Sequence, residues 1–183
     1  MADLKGSKTE QNLAFAFAGE SQARNKYAFF AAVAKKEGYE EIARLFEKTA
    51  DNEKNHARLW LQHLQGIGTT ENNLLAAAEG EYFEWSSMYA SFAEEARKEG
   101  FENIAFQFEC VAGIERNHEN RYREALKWLK NREKEKEIFF LTAPDTWECK
   151  SCGFIHKGPG APEYCPLCAD SKSFFKAFFN RNK

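Results

Sequence analysis

Apolar residues, chiefly Ala and Phe, recur at helical spacing from about residue 9 to residue 37, and the run stops at Gly38. The same pattern predicts a second helix over about 40 to 64, ending near Gly66 and Gly68, a third over about 80 to 99, and a fourth over about 101 to 136. The fourth runs out into the charge run Arg132-Glu133-Lys134-Glu135-Lys136-Glu137. Between helices two and three, residues 66 to 79 hold Gly, Thr-Thr and Asn-Asn ahead of Leu74-Leu75-Ala76-Ala77-Ala78, which predicts an unusually long connection.

The two halves of this pattern repeat each other. Lys36-Glu37-Gly38-Tyr39 matches Lys98-Glu99-Gly100-Phe101, and at the same offset Ile42-Ala43 matches Ile104-Ala105, Phe46 matches Phe108 and Ala50 matches Ala112. Gly19-Glu20 answers Gly80-Glu81 one residue out of step, so the second half carries an extra residue before its Gly. That excess predicts a π-bulge in helix three. Each half reads as helix, Gly turn, helix. If the hairpins are repeats, helix three runs parallel to helix two and the chain must travel the length of the bundle between them. Roughly 13 extended residues at ~3.3 Å each cover the ~40 Å of a 25-residue helix, the long crossover of ferritin-like bundles.

The repeat also carries chemistry. Glu53-Lys54-Asn55-His56 and Glu115-Arg116-Asn117-His118 are one E-x-x-H segment occurring twice. A Glu and a His three apart share a helix face and can serve one metal. With 24 Glu and 4 His in the chain, chance supplies about half of one such segment, so a single copy would mean nothing. Two copies in register, each accompanied by a Glu at matching depth, mean more. Glu20 lies 18 residues before Gly38 and Glu53 15 after it, while Glu81 and Glu115 stand 19 before and 15 after Gly100. Four helices therefore aim carboxylates at one level. Inward carboxylates cost several kcal/mol each without a cation. The one basic position repeated here, Lys54 and Arg116, is turned about 100° from the inner face, so two metal ions are expected instead. Adding Glu84, one turn after Glu81, makes five carboxylates against the four charges of two ferrous ions. Glu84 has no counterpart in the first half and breaks the symmetry. Mixed carboxylate and imidazole ligation suits iron or manganese better than zinc. Tyr27 and Tyr89 fall near the metal face, where they either hydrogen-bond a ligand carboxylate or fill the core. His63 reads as structural.

Composition narrows the function classes. A net charge of −2 over 183 residues offers no basic stripe for nucleic acid. Neither a secretory signal nor a membrane span is apparent, so a soluble cytoplasmic protein is expected. Four of the five cysteines form Cys149-x-x-Cys152 and Cys165-x-x-Cys168, metal spacing that needs reduced thiols. The fifth, Cys110, reads as a buried apolar side chain. Four sulfurs suit a zinc ribbon or a redox-active iron site alike, and the surrounding Trp147, Tyr164, Phe174 and Phe175 lean towards iron. His156 is expected at the surface. The boundary between the helices and this module is placed near residue 140, giving domains 1–140 and 141–183.

Together these segments resemble the rubrerythrins. The resemblance rests on G-E-S-Q-A-R-N-K-Y from Gly19, E-K-N-H from Glu53, G-E-x-x-E-W from Gly80, E-R-N-H from Glu115, and W-x-C-x-x-C-G-F-x-H-x-G-x-G-A-P-E-x-C-P-x-C from Trp147. It implies a mainly α protein: a ferritin-like four-helix bundle with a long crossover, then a small rubredoxin-like four-cysteine domain. It implies a non-haem di-iron peroxidase reducing hydrogen peroxide to water, with a third iron in the tetrathiolate site as electron carrier. Glu53 and Glu115 would bridge the irons, Glu20 and His56 would serve one and Glu81 and His118 the other, and Glu84 would exchange with His56 on redox change. Ala169, where rubredoxins have Gly, departs from their pattern. An NAD(P)H-linked reductase or a rubredoxin would supply electrons, and a homodimer or larger assembly is implied, in which the module of one subunit approaches a neighbour's di-iron site. The rival readings are a ferroxidase or iron-handling protein, and a binding module with structural zinc in the ribbon.

Overall fold

The computed structural model describes residues 3–131, 146–158 and 160–177. It divides into two compact units, Met1–Thr69 and Thr70–Lys183. In the first, α1 (Lys8–Lys36) and α2 (Glu40–His63) fold back on each other across Gly38. Gly38 takes the left-handed conformation at φ 85°, and Tyr39 N–H bonds to the Ala34 carbonyl while Gly38 N–H bonds to that of Lys35. This closes α1 with a glycine cap that a β-carbon would strain. The seam between the two helices is alanine: Ala31 and Ala34 face Ala43, Ala50 and Ala57, all buried. Small side chains spaced seven apart let two helices run close together. Beyond the seam, Tyr27, Phe30 and Phe46 cluster with ring centroids 5.6–6.3 Å apart.

The second unit repeats this design. A rod of α3 (Thr70–Phe83), a π-helical turn (Glu84–Met88) and α4 (Tyr89–Lys98) folds back through Gly100 onto α5 (Glu102–Asn131). Ala93, Ala96 and Ala105 form its buried seam, and Tyr89, Phe92 and Phe108 form its ring cluster. The π-turn is the bulge expected from the extra residue: Tyr89 N–H reaches five residues back to the Glu84 carbonyl. Where Ala57 closes the first seam, Glu119 stands in the second, 7% exposed. It accepts the indole N–H of Trp85, in the π-turn, at 2.7 Å and the Arg123 Nε–H at 2.6 Å. Arg116 lies over that indole ring, 5.3 Å from its centroid. The bulge is thereby tied to α5.

One expectation needs correction. Helix three begins at Thr70, ten residues earlier than the sequence pattern placed it, so residues 70–79 are helical and only Leu64 to Thr69 join α2 to α3. Glu71 favours the helix N-terminus, and Leu74 to Ala78 are strong helix formers that outweigh the two asparagines. The charge run at 132–137, Pro144 and the boundary near 140 lie outside the described residues.

The cysteine module is a three-stranded antiparallel sheet in the order β2-β1-β3, with β1 Thr146–Cys149, β2 Ile155–Lys157 and β3 Phe175–Ala177. Cys149, Cys165 and Phe175 form its buried core, with Trp147, Phe154 and Leu167 packed against them. Tyr164 and Phe174 are exposed and do not shield the sulfurs, while His156, in β2, is half-buried. Among the described residues, no helix is long and apolar enough to cross a membrane.

Glu119 yields a stability prediction. Burial pushes its carboxyl up, but Arg123, Trp85 and Arg116 outweigh it and hold the group below the ordinary carboxylate range. Glu119→Ala is expected to lower unfolding free energy at neutral pH by about 1–3 kcal/mol, measured by urea titration. A folded pKa below the unfolded one means that this contribution is present above the unfolded value and lost as the pH falls through the folded one. The gap between variant and parent should therefore close in acid. Equal stabilities at neutral pH would contradict the account.

Candidate metal centres

The E-x-x-H helices and their opposing glutamates form two triads of the same shape. On the first hairpin one donor atom from each of Glu20, Glu53 and His56 lies within 4.8 Å of the others, and on the second the same holds for Glu81, Glu115 and His118. His56 Nδ1 stands 2.7 Å from Glu53 and 3.8 Å from Glu20. The corresponding distances from His118 Nδ1 are 2.7 Å to Glu115 and 3.7 Å to Glu81. Two rods that share an alanine seam, with donors at matching depth from matching glycine turns, reach the same geometry twice.

The two triads differ electrostatically because of the π-turn. Burial, then the Glu115 charge, raises the Glu81 carboxyl, with His118 opposing. Burial and the Glu81 charge likewise raise Glu84, the first residue of the π-turn. Burial raises the Tyr89 phenol too, together with the charges of Glu84, Glu115 and Glu81, so this side chain adjoins the acidic group. Carboxylates raised by each other's charge are what a cation would relieve, and a set of oxygens with one imidazole nitrogen suits iron. Tyr27 sits in its ring cluster with Phe30 and Phe46.

The four cysteines gather as expected. Cys149 and Cys168 sulfurs are 3.7 Å apart, and those of Cys152 and Cys165 3.6 Å. Four sulfurs at ~2.3 Å from one tetrahedral metal would be ~3.8 Å from each other, so the cage fits a metal ion. Burial pushes the Cys168 thiol up to about 11 and that of Cys152 higher still. At Cys149 burial also acts upward, but N–H groups of Cys152 and Ser151 donate to its sulfur and leave the thiol below its ordinary value. Without a metal, burial therefore favours neutral thiols, whereas a metal would take all four as thiolates.

These observations agree with a sequence match. The profile of the rubrerythrin family matches residues 11–126, and that of the rubrerythrin rubredoxin-like domain matches residues 147–176. The chain belongs to the rubrerythrin family. Rubrerythrins of Porphyromonas gingivalis and Nitratidesulfovibrio vulgaris are 44% and 42% identical to it, over 94% and 96% of this chain and 91% and 97% of theirs. A structure of nigerythrin in a partially reduced state is 34% identical, with a TM-score of 0.40, covering 97% of this chain and 91% of that one. As a rubrerythrin the chain has a ferritin-like domain, a rubredoxin-like domain, a di-iron site and a rubredoxin-like iron site. It is an oxidoreductase of the di-iron, oxidative-stress kind.

Several residues of this rubrerythrin gave little sequence signal. Gly153, in the first cysteine knuckle, comes so close to α5 that a β-carbon there would lie 2.9 Å from Ile114 Cγ2 and 3.3 Å from His118 Nε2. Arg121 of α5 pairs at 2.9 Å with Glu148, a buried carboxylate also held by Lys176 at 3.0 Å. Cys110 is half-buried, its thiol raised first by burial and also by the charge of Cys165 nearby. The knuckle face thus rests along Cys110, Ile114 and His118, four residues apart on α5. Glu119 could have been found as the one charged residue in a repeated alanine position; contacts between segments far apart in the chain leave no periodicity to read.

The two knuckles differ at equivalent positions. Gly153 has φ 77° and Ala169 φ 61°, both left-handed. Left-handed backbone costs an L-residue ~1–2 kcal/mol, partly offset by the larger entropy glycine loses on folding. Ala169→Gly is expected to stabilise the metal-loaded module by ~1 kcal/mol, read as a higher urea midpoint for loss of the sulfur-to-metal absorption. A lower midpoint would contradict the strain.

Proposed function

We propose that this chain reduces hydrogen peroxide to water at a di-iron centre held by its two triads, with electrons delivered through an iron tetrathiolate. In this reading Glu53 and Glu115 would be shared by the two ions, Glu20 and His56 would hold one and Glu81 and His118 the other, and Glu84 would be the carboxylate free to change partner. The observation that carries the reading is the seat of the first cysteine knuckle on α5, with Gly153 against His118. A colourless structural zinc in that position would have no use for such proximity, and a ferroxidase needs no attached electron donor.

Iron bound here supplies the two electrons that a peroxide takes up, with two protons, to leave two waters. The protein's part is positional. Each histidine turns Nδ1 towards its own carboxylates, and His118 turns Nε2 towards Gly153. His118 would thus hold a metal through Nδ1, while its Nε2 edge adjoins Gly153 of the first cysteine knuckle. Tyr89 keeps a protonated phenol beside Glu81, Glu84 and Glu115. The Arg121–Glu148–Lys176 pairing fixes the module's orientation on α5. A separate NAD(P)H-linked reductase or a rubredoxin refills the tetrathiolate, in the reducing cytoplasm that free thiols require.

The test is stopped-flow oxidation of the fully reduced protein. Peroxide is expected to oxidise the iron pair far faster than oxygen does; a preference for oxygen would favour the ferroxidase reading. Gly153→Ala tests the electron route. The native Ala169 demonstrates that a knuckle accepts alanine at this backbone conformation, so the variant should fold and bind iron normally. Its β-carbon should push the knuckle off Ile114 and His118 and slow re-reduction of the iron pair several-fold, with the peroxide step unchanged. An unaltered re-reduction rate would remove the knuckle from the route.

A further inference from the structure

Near the metal triads the two hairpins part company in a set of positions that are joined to one another in the second. Aligned through Gly19-Glu20 and Gly80-Glu81, position 84 holds Glu where the first half has Ala23, and position 85 holds Trp where it has Arg24. Aligned through the two E-x-x-H segments, position 119 holds Glu for Ala57 and position 123 holds Arg for Leu61. The extra residue of the second half falls between Glu84 and Tyr89, inside the π-turn, since Tyr89 answers Tyr27 at the later offset. In the first half α1 continues as regular helix through this level, and Arg24 is exposed and hydrogen-bonds its neighbour Asn25 at 2.9 Å.

In the second half these residues build a clamp. A single π-turn interrupts the i→i−4 ladder, so it needs support from outside its own helix. One stretch of α5 supplies that support. Trp85 Nε1–H donates to Glu119 Oε2 at 2.7 Å, Arg123 Nε–H donates to Glu119 Oε1 at 2.6 Å, and Arg116 lies 5.3 Å from the indole centroid. Tyr82 meets the same indole edge-on, with centroids 5.4 Å apart and planes at 89°. A hydrogen bond to an arginine-paired carboxylate is of the stronger kind, and a ring held on several sides cannot swing. The backbone of Trp85, and of Glu84 before it, is thereby fixed relative to α5. Arg116 and Glu119 directly follow Glu115 and His118, so the clamp closes on the same turns of α5 that supply the second triad.

We propose that Trp85 and Glu119 are positioning residues for Glu84. Pinning the indole to α5 sets the point from which the Glu84 carboxylate reaches the iron pair, and it lets that carboxylate change partner while the helix that carries it stays still. Neither Trp85 nor Glu119 is itself a ligand. The inference rests on the reading that Glu84 is a ligand of the pair, and the experiment keeps the two apart.

Three substitutions separate positioning from mere support. Trp85→Phe keeps a ring and removes the N–H, Glu119→Ala removes the acceptor, and Glu84→Ala gives position 84 the residue that stands at position 23. In the metal-free protein the Tyr89 amide, bonded five residues back to the Glu84 carbonyl, should exchange with solvent several-fold faster in Trp85→Phe. In the iron-loaded protein, Mössbauer spectra of the diferric form should show one iron altered by Glu84→Ala and the same iron altered by Trp85→Phe. Peroxide oxidation of the diferrous form should slow several-fold in each. The double variant should be no slower than Glu84→Ala alone, because the clamp acts through that carboxylate. Glu119→Ala should match Trp85→Phe; if it fails to fold, Trp85→Phe, which leaves Glu119 its Arg123 partner, carries the test. Unchanged exchange at Tyr89 in Trp85→Phe, a measurement that needs no iron, overturns the clamp. An iron spectrum that Glu84→Ala alters and Trp85→Phe does not, or rate effects that add in the double variant, overturns the positioning role. A spectrum unaltered by Glu84→Ala overturns the ligand reading itself, and the inference with it.

Discussion

The close approach of two helices along an alanine seam determines what each half of this protein can and cannot do. Only small residues at 31, 34, 43, 50 and 57, and at 93, 96 and 105, allow the rods to lie near enough for a glutamate on one to meet the Glu-His pair of the other. The same economy leaves a hairpin without a core of its own. Burial of an alanine removes little apolar area, so the free energy for folding must come from the bulky residues outside the seam. The metal triads and the apolar surface that each hairpin leaves exposed are two results of one packing choice.

Electrostatics sets the second constraint. Glu81 and Glu84 are raised by burial and by neighbouring acids, and Cys152 and Cys168 are raised by burial, so both kinds of site oppose the charged forms that metal ligation needs. A cation reverses that preference in each place. Both sites are built chiefly of anionic donors, six oxygen or nitrogen donors across the triads and four sulfurs in the cage. The adjoining cations are occupied otherwise: Arg116 on Trp85, Arg123 on Glu119 and Arg121 on Glu148.

Much of this architecture is legible in the sequence. The duplicated E-x-x-H, the depth-matched glutamates and the two C-x-x-C knuckles are local signals, and a one-residue slip between Glu81 and Gly100 was enough to place a π-bulge, now seen at Glu84–Met88. The start of helix three was misread because Thr-Thr-Glu-Asn-Asn resembles a loop in composition, whereas a strong apolar run behind it recruits those residues into the first turn. The contacts of Gly153, Trp85, Glu119 and Glu148 join segments 27 to 39 residues apart, and such encounters follow from tertiary geometry rather than from periodicity. The expected aromatic shield of the sulfurs was half right, since Phe175 and Trp147 pack inward while Tyr164 and Phe174 do not.

The pair of cysteine knuckles holds a further lesson. Backbone conformation asks for glycine in both, yet only Gly153 also has a helix pressed against the place where a side chain would stand, while Ala169 faces outward. A methyl group is admissible on the outer loop at the expense of local strain, whereas on the inner one it would also push the knuckle off the helix. The two loops therefore tolerate drift unequally, and in a twofold sulfur cage of this type the loop that has lost its glycine marks the side turned to water.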